Sequence, residues 1–155
     1  MSRWPKSVVK MARKVAGKRK PRPDGQNENE ARFNRMILGG IGKYEPSHFY
    51  ITRVNKRVYT PDFAITLHNV TKQTRTDVFA EVKGSYKLQS EDRARLAWEV
   101  AAENTIPEHV FAWARWTPRG RFYECEAWAR RGERRATANC RTKDDFIALL
   151  KEVVE

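Results

Sequence analysis

The stretch from Tyr59 to Gly84 constrains the fold of this chain more than any other segment. It contains two short apolar runs, Phe63–Leu67 and Val78–Val82. A polar stretch at 69–76, rich in threonine and basic residues, separates them. Two apolar runs around such a linker predict two β-strands joined by a loop. The chain therefore has a predicted hairpin near its middle, around which the other elements must pack.

Three charged residues lie at the ends of these predicted strands, namely Asp62, Glu81 and Lys83. Side chains alternate between the two faces of a strand, so Glu81 and Lys83 point to one side and Ala80 and Val82 to the other. If the strands pair as a hairpin, Asp62 approaches the side that carries Glu81. The pattern thus predicts two carboxylates and an ammonium group close together on an otherwise apolar strand.

This combination of groups suits a divalent metal ion and a phosphate. Carboxylate oxygens are hard ligands, and Mg²⁺ commonly uses one or two of them, with water and substrate phosphate at the other positions. A neighbouring lysine can polarise the attacking water and offset charge on the phosphate. The alternative interpretation is an edge hairpin with ordinary solvated charges.

The segments Pro61-Asp62-Phe63 and Glu81-Val82-Lys83-Gly84 resemble the motif of the PD-(D/E)xK nuclease superfamily. The resemblance implies an α/β fold with a mixed central β-sheet flanked by α-helices, a restriction-endonuclease-like core. It implies that Asp62 and Glu81 bind Mg²⁺, or Mn²⁺, and that Lys83 is catalytic. The segment from Tyr44 to Phe63 is similar to phage-type endonucleases that resolve Holliday junctions.

A helix is predicted before the hairpin, from Asn27 or Glu28 to Leu38. Asn27 is a suitable N-cap, and Glu30 at the third helical position completes a capping box. Glu30 shares the inward face with the apolar residues of this helix, whereas Glu28 lies roughly 200° away. The resemblance implies an acidic, metal-binding residue on such a helix. We assign that role to Glu30, with Glu28 as the second choice and capping as the structural alternative.

The net charge of +12 and the isoelectric point near 10.0 indicate a polyanionic partner. Residues 1–25 form a basic arm that is expected to be flexible, and residues 26–155 form the nuclease domain that the resemblance implies. The arm is predicted to contact DNA; a solubilising tail is the alternative. The predicted DNA-binding residues are Lys10, Arg13, Lys14, Lys18, Arg19, Lys20 and Arg22, together with Lys87 and Arg93 around the next helix.

The remaining chain predicts further helices and strands. A helix capped by Ser90 is expected at 91–103, and strands are expected at 110–116 and 121–129. Residues 130–141 are predicted to be an irregular basic segment. A last helix begins at a capping box from Thr142 to Asp145. Its apolar face is expected to pack on the core or on a second subunit.

Several classes of protein are disfavoured by the composition. No apolar run reaches the length of a membrane span, and no signal-peptide core follows the basic start. Cys125 and Cys140 fit no metal-ligand spacing and are expected to be structural thiols. The expected location is therefore cytoplasmic, which means the host cytoplasm if the protein is phage-encoded.

The resemblance implies a metal-dependent endodeoxyribonuclease that hydrolyses phosphodiester bonds. It implies a structure-selective, junction-resolving enzyme acting on branched or duplex DNA as a homodimer. One rival hypothesis is a non-catalytic nucleic-acid-binding protein on a nuclease fold. The other is a membrane-binding or RNA-binding basic protein in which the motif occurs by chance.

Overall fold

The computed structural model describes residues 25–46, 48–50, 57–130 and 132–155. Three helices lie in this part of the chain: α1 (Glu28–Met36), α2 (Glu91–Asn104) and α3 (Lys143–Val154). The eight strands are β1 (Lys43–Tyr44), β2 (Phe49–Tyr50), β3 (Val58–Tyr59), β4 (Phe63–Asn69), β5 (Thr74–Lys83), β6 (His109–Thr117), β7 (Phe122–Ala129) and β8 (Arg134–Cys140). The basic arm predicted to bind DNA lies outside the described residues, apart from Gly25.

Six strands form one mixed sheet in the order β1-β4-β5-β6-β7-β8. Strands β5 and β6 are parallel because α2 connects them as a crossover, and the other neighbouring pairs are antiparallel. Strands β2 and β3 pair only with each other. The predicted α/β class, with a mixed central sheet flanked by helices, is confirmed.

The central hairpin forms with β4 and β5 antiparallel and Phe63 opposite Ala80. Its loop is shorter than predicted, because β4 continues to Asn69 and β5 begins at Thr74. Threonine is compatible with a strand despite its polarity, since its branched Cβ fits a pleated surface. The tight turn between the strands places Gln73 at φ 50°. Polarity in the sequence therefore marked solvent exposure here rather than the end of a strand.

The two faces of the sheet carry separate apolar clusters. Helices α1 and α3 cover one face, where Phe33 and Phe146 pack against residues such as Val82. Helix α2 and the β2–β3 hairpin cover the other face, where Trp98 packs among further aromatic side chains. Of the two predicted roles for the last helix, α3 therefore serves the core of its own chain.

The helix ends agree with the sequence at two of three positions. Asn27 and Glu30 form the predicted capping box of α1, and Thr142 and Asp145 form that of α3. The prediction that Ser90 caps α2 is wrong. Ser90 already has helical dihedral angles (φ −68°, ψ −13°), and its side chain accepts no capping hydrogen bond. An effective N-cap needs an extended backbone, as Asn27 and Thr142 have.

The irregular basic segment predicted at 130–141 is also wrong, because most of it forms the edge strand β8. Ala136, Ala138 and Cys140 pack against the cluster beneath α3, while the intervening polar residues are exposed. Period-two alternation was present, but small apolar residues among arginines made it faint. Strand β1, which pairs with β4, was not predicted either.

Two further expectations concern cysteines and membranes. Cys125 and Cys140 are both buried, and no disulfide joins them. No helix in the described part of the chain is long and apolar enough to cross a membrane.

Candidate functional site

The candidate site lies at the end of the sheet where β4 begins and β5 ends. Asp62 directly precedes β4, and the hairpin register places it opposite Glu81. One carboxylate oxygen of Asp62, Oδ2, accepts a hydrogen bond of 2.7 Å from the backbone nitrogen of Val82. The backbone oxygen of Asp62 accepts another, of 2.9 Å, from the nitrogen of Glu45. Asp62 is therefore held between its two neighbouring strands.

Glu81 is buried, and each of its carboxylate oxygens has a different donor. The ammonium nitrogen of Lys83 lies 2.5 Å from Oε1, and the hydroxyl of Tyr59 donates to Oε2 over 2.9 Å. Lys83 also lies 5.3 Å from the centre of the Trp113 ring. The structure thus brings together Asp62, Glu81 and Lys83, as the period-two pattern predicted.

Tyr59 is the residue of this site that the sequence did not reveal. It is buried on the β2–β3 hairpin, outside the main sheet, and reaches Glu81 across 22 positions of sequence. Burial raises the pKa of the Tyr59 hydroxyl well above its usual value, and the neighbouring Glu81 charge raises it further. Tyr59 therefore remains a hydrogen-bond donor that fixes one oxygen of Glu81. No spacing rule pointed to this contact.

The carboxylates of the site are electrostatically strained. Burial raises the pKa of Asp62 to about 8, and the charges of Glu81 and Glu30 contribute to the rise. The backbone N–H of Val82 and the charge of Lys83 act in the opposite direction without cancelling it. At neutral pH Asp62 therefore keeps its proton in preference to a full negative charge, and a bound cation would displace that proton by compensating the carboxylates.

Glu30 forms the predicted capping box and also lies near Asp62. It is buried, and its charge raises the pKa of Asp62 and contributes to raising that of Tyr44, for which burial is the largest cause. Its oxygens accept hydrogen bonds of 2.8 Å from the backbone nitrogen of Asn27 and 2.5 Å from the Asn27 amide. A carboxylate has about four lone-pair sites, so capping leaves acceptor capacity free. Glu28, the second choice, is exposed and lies 3.6 Å from Arg32.

The number of possible metal ligands is small. Within the described ranges, no group of three His, Cys, Asp or Glu side chains is arranged to hold a metal ion. Asp62 and Glu81 alone supply the two carboxylates that a Mg²⁺ site commonly uses, and water or phosphate oxygens complete such a site. The donor set, all hard oxygen, fits Mg²⁺ or Mn²⁺ better than zinc.

Two of the predicted DNA-binding residues, Lys87 and Arg93, lie in the described chain. Lys87 lines a shallow cavity of about 410 Å³ with Trp113 and Arg115, and its ammonium group is 3.0 Å from Asp92. Arg93 is exposed on the first turn of α2. Lys10, Arg13, Lys14, Lys18, Arg19, Lys20 and Arg22 lie outside the described residues.

A larger cavity in the described chain lies at the other end of the sheet. It measures about 1210 Å³ and is lined by Leu67, Arg75 and Val153 among others. Asp62, Glu81 and Lys83 are absent from its lining. This cavity therefore lacks the clustered acidic groups that define the candidate site.

No protein-family model, curated protein or solved structure matches this chain. The functional assignment therefore depends on the geometry and chemistry of the residues themselves.

Proposed function

We propose that the protein is a metal-dependent endodeoxyribonuclease with a restriction-endonuclease-like core. The observation that carries the proposal is the meeting of Asp62, Glu81 and Lys83 at one end of the sheet, where the pKa of Asp62 is raised to about 8. A stabilising ion-pair network would compensate its own charges, and this one does not. A site that binds a cation and then a phosphate benefits from uncompensated carboxylates.

The side chains have distinct roles in the proposed reaction. Asp62 and Glu81 would hold Mg²⁺, with Glu30 beside them. Bound Mg²⁺ would polarise the phosphate and lower the pKa of the attacking water. Lys83, already paired with Glu81, would orient that water and stabilise charge on the phosphate as it is attacked. The water oxygen forms a new bond to phosphorus, one ester P–O bond breaks, and the released oxygen is protonated.

We extend the proposal to branched or duplex DNA as the substrate. The net charge of +12 favours a polyanion. None of the described elements is a zinc module, since no three metal-ligating side chains cluster in them. Recognition of shape and backbone is therefore favoured over base readout. Resolution of a junction is the specific activity that we propose within this class.

We also propose a homodimer, because one site cuts one strand and a junction requires two cuts. The sequence offers two candidate surfaces for the interface, the Phe49–Tyr59 region and the apolar last helix from Phe146 to Val154. Since α3 packs on its own core, the β2–β3 region is the better of the two. Tyr50 and Val58 face each other across this hairpin and are both exposed. Residues 51–56, between these strands, lie outside the described residues.

The test is cleavage of DNA by the purified protein. Nicking of supercoiled plasmid is expected with Mg²⁺ and should be absent with a chelator. A panel of nicked, linear and four-way-junction DNA would then establish the preferred substrate, and light scattering with and without junction DNA would establish the oligomeric state. Metal-independent nicking, or no cleavage of any substrate in Mg²⁺ or Mn²⁺, would contradict the proposal.

A further inference from the structure

Three exposed arginines lie at or next to the turn between β6 and β7. The turn contains Arg119, Gly120 and Arg121, and Arg121 has a positive φ of 52°. The Phe122 ring lies against Gly120 so closely that a Cβ at Gly120 would overlap it. The guanidinium of Arg141, at the end of β8, lies 5.1 Å from the centre of the same ring. The contact with Phe122 places Arg141 beside the turn that carries Arg119 and Arg121. We call Arg119, Arg121 and Arg141 the arginine cluster.

The charges of the arginine cluster are available to a ligand. All three residues are exposed, and among the described residues no ion pair joins any of them to a carboxylate. Asp145 is the acidic neighbour, and its Oδ2 accepts from the backbone nitrogens of Arg141 and Thr142. These hydrogen bonds, with a smaller contribution from the Arg141 charge, lower the pKa of Asp145, but the two side chains form no ion pair.

Three other arginines differ from the cluster because each one is paired with a carboxylate. Arg115 pairs with the buried Glu91, and Arg95 and Arg135 both pair with Glu126. These arginines compensate carboxylates of the protein itself. The arginine cluster therefore differs from them in having no such partner to displace before it binds an anion.

The topology places the arginine cluster at the same end of the sheet as Asp62, Glu81 and Lys83. Strand β6 is parallel to β5, with Arg115 beside Lys83, so the end of β6 points the same way as the end of β5. The β6–β7 turn follows two residues later, and Cys140, next to Arg141, pairs with Tyr123 at this end. Arg119 lies four residues beyond Arg115, roughly 13 Å at about 3.3 Å per residue, and β8 lies three strand spacings of about 4.8 Å from β5. The cluster is therefore on the order of 15 Å from Lys83, roughly the length of four to five base pairs.

We propose that the arginine cluster binds the phosphate backbone of a nucleic acid whose reacting phosphate lies at Asp62 and Glu81. Only the position of the reacting phosphate at Asp62 and Glu81 rests on the proposed nuclease function; binding of the phosphate backbone does not. Guanidinium groups bind phosphate oxygens in a bidentate manner, and several of them on one turn suit consecutive phosphates. Contacts of this kind fix the position of the duplex without reading its sequence.

The experiment compares two double variants that each remove two positive charges. Arg119→Gln/Arg121→Gln alters the cluster, and Lys72→Gln/Lys151→Gln alters exposed residues at the opposite end of the sheet. Binding to a labelled duplex and to a four-way junction is measured by fluorescence anisotropy over a range of salt concentrations, in Ca²⁺ to limit cleavage. Thermal unfolding of both variants checks that each one folds.

The cluster variant is expected to bind about tenfold more weakly, with a salt dependence flatter by about 0.9 for each phosphate that is no longer neutralised. The control variant should change affinity by less than about twofold. Hydrolysis of bis(4-nitrophenyl) phosphate in Mn²⁺, which offers no flanking backbone, should be equal in the cluster variant and the wild type.

The outcomes separate this inference from the nuclease proposal. Unchanged affinity and salt slope in the cluster variant would overturn the inference whether or not the wild type cleaves DNA. An equal loss of affinity in both double variants would overturn it too, because charge alone would then explain binding. Weaker binding by the cluster variant in a protein that cleaves nothing would support the cluster as a binding surface and contradict the nuclease proposal.

Discussion

Two carboxylate sites on the same face of the sheet have opposite electrostatics. Glu126, on β7, accepts hydrogen bonds of 2.6 Å from both Arg95 and Trp128 and a third from Arg135. Burial alone would raise the pKa of Glu126, but these donors lower it below its usual value. Asp62 and Glu81, two strands away, share the single cation of Lys83, and the pKa of Asp62 rises to about 8.

Because their electrostatics differ, the two sites are suited to different roles. Glu126 is compensated by two arginines and an indole, so it ties α2, β7 and β8 together without needing any further ligand. The Asp62–Glu81 pair has an excess of negative charge whenever Asp62 is ionised, which costs stability in the absence of a cation. Excess charge of this kind is expected where a metal ion binds, and the following predictions test that distinction.

The largest effect is expected from Asp62→Asn and Glu81→Gln. Each should reduce plasmid nicking in Mg²⁺ by at least about 10³-fold, since each removes a proposed metal ligand without removing phosphate contacts. DNA binding should be nearly unchanged. Glu126→Gln is the matched control, and it should retain cleavage at a temperature where it is folded. Full nicking by either site variant would mean that the metal is held elsewhere.

Lys83→Ala should lower the rate of the chemical step by roughly 10²–10³-fold, because it removes a charge that stabilises the attacked phosphate. Single-turnover cleavage at saturating Mg²⁺ measures this rate without a contribution from metal affinity. Recovery of the rate at higher Mg²⁺ would show that Lys83 acts on metal binding instead, and the role proposed for it would be wrong.

Glu30→Gln should impair cleavage more than Glu28→Gln, by roughly tenfold. Glu30 is buried beside Asp62, whereas Glu28 is exposed on α1. Both variants remove one negative charge from the first turn of the same helix, so their effects on the helix dipole are matched. The amide oxygen of glutamine can still accept the backbone hydrogen bond from Asn27 that completes the capping box. Equal activity in the two variants would leave Glu30 with a capping role alone.

Tyr59→Phe should weaken Mn²⁺ binding by roughly tenfold, because outer hydrogen bonds hold a ligating carboxylate in position. Calorimetric titration of Mn²⁺ measures this without any reliance on cleavage. Tyr50→Phe, on the exposed face of the same hairpin, is the control and should bind Mn²⁺ like the wild type. Identical affinities in both variants would show that the Tyr59 hydroxyl does not orient Glu81.

The smallest effect is a difference in stability that depends on pH. The folded protein holds the Asp62 proton more tightly than the unfolded chain does, since the pKa rises from 3.8 to about 8. Its contribution to stability is therefore present below pH 3.8 and is lost as the pH rises towards 8. In a chelator, Asp62→Asn should raise the melting temperature at pH 8 by roughly 2–4 °C for each kcal/mol gained, and much less at pH 4.

Glu126→Gln should change stability in the opposite direction, by destabilising the folded protein. A lowered pKa stabilises the folded state above the ordinary value of 4.5 and is lost as the pH falls. This variant should lose about 1–3 kcal/mol at neutral pH, since two arginines lose a charged partner. Thermal unfolding across pH would measure both variants together. Destabilisation by Asp62→Asn at pH 8 in a chelator would contradict the contrast between the two sites.

Features that depend on residues a few positions apart could be predicted from the amino-acid sequence. Period-two alternation set Glu81 and Lys83 on one face of β5, and a capping pattern set Asn27 against Glu30 at the start of α1. Both depend on residues two or three positions apart, whose relative directions follow from backbone geometry alone. The hairpin then needed only its register to place Asp62 beside Glu81, and the apolar runs supplied it.

Contacts between segments that are distant in the sequence could be seen only in the folded structure. The hydroxyl of Tyr59 reaches Glu81 across 22 residues, and Arg95 reaches Glu126 across 31. The position of Arg141 over Phe122 depends on the β7–β8 pairing, and β8 itself was not predicted. These contacts follow from the order of strands and the packing of α2, which no local spacing specifies. Local geometry therefore fixed the charged trio, whereas packing decided which charges are compensated and which remain available to a ligand.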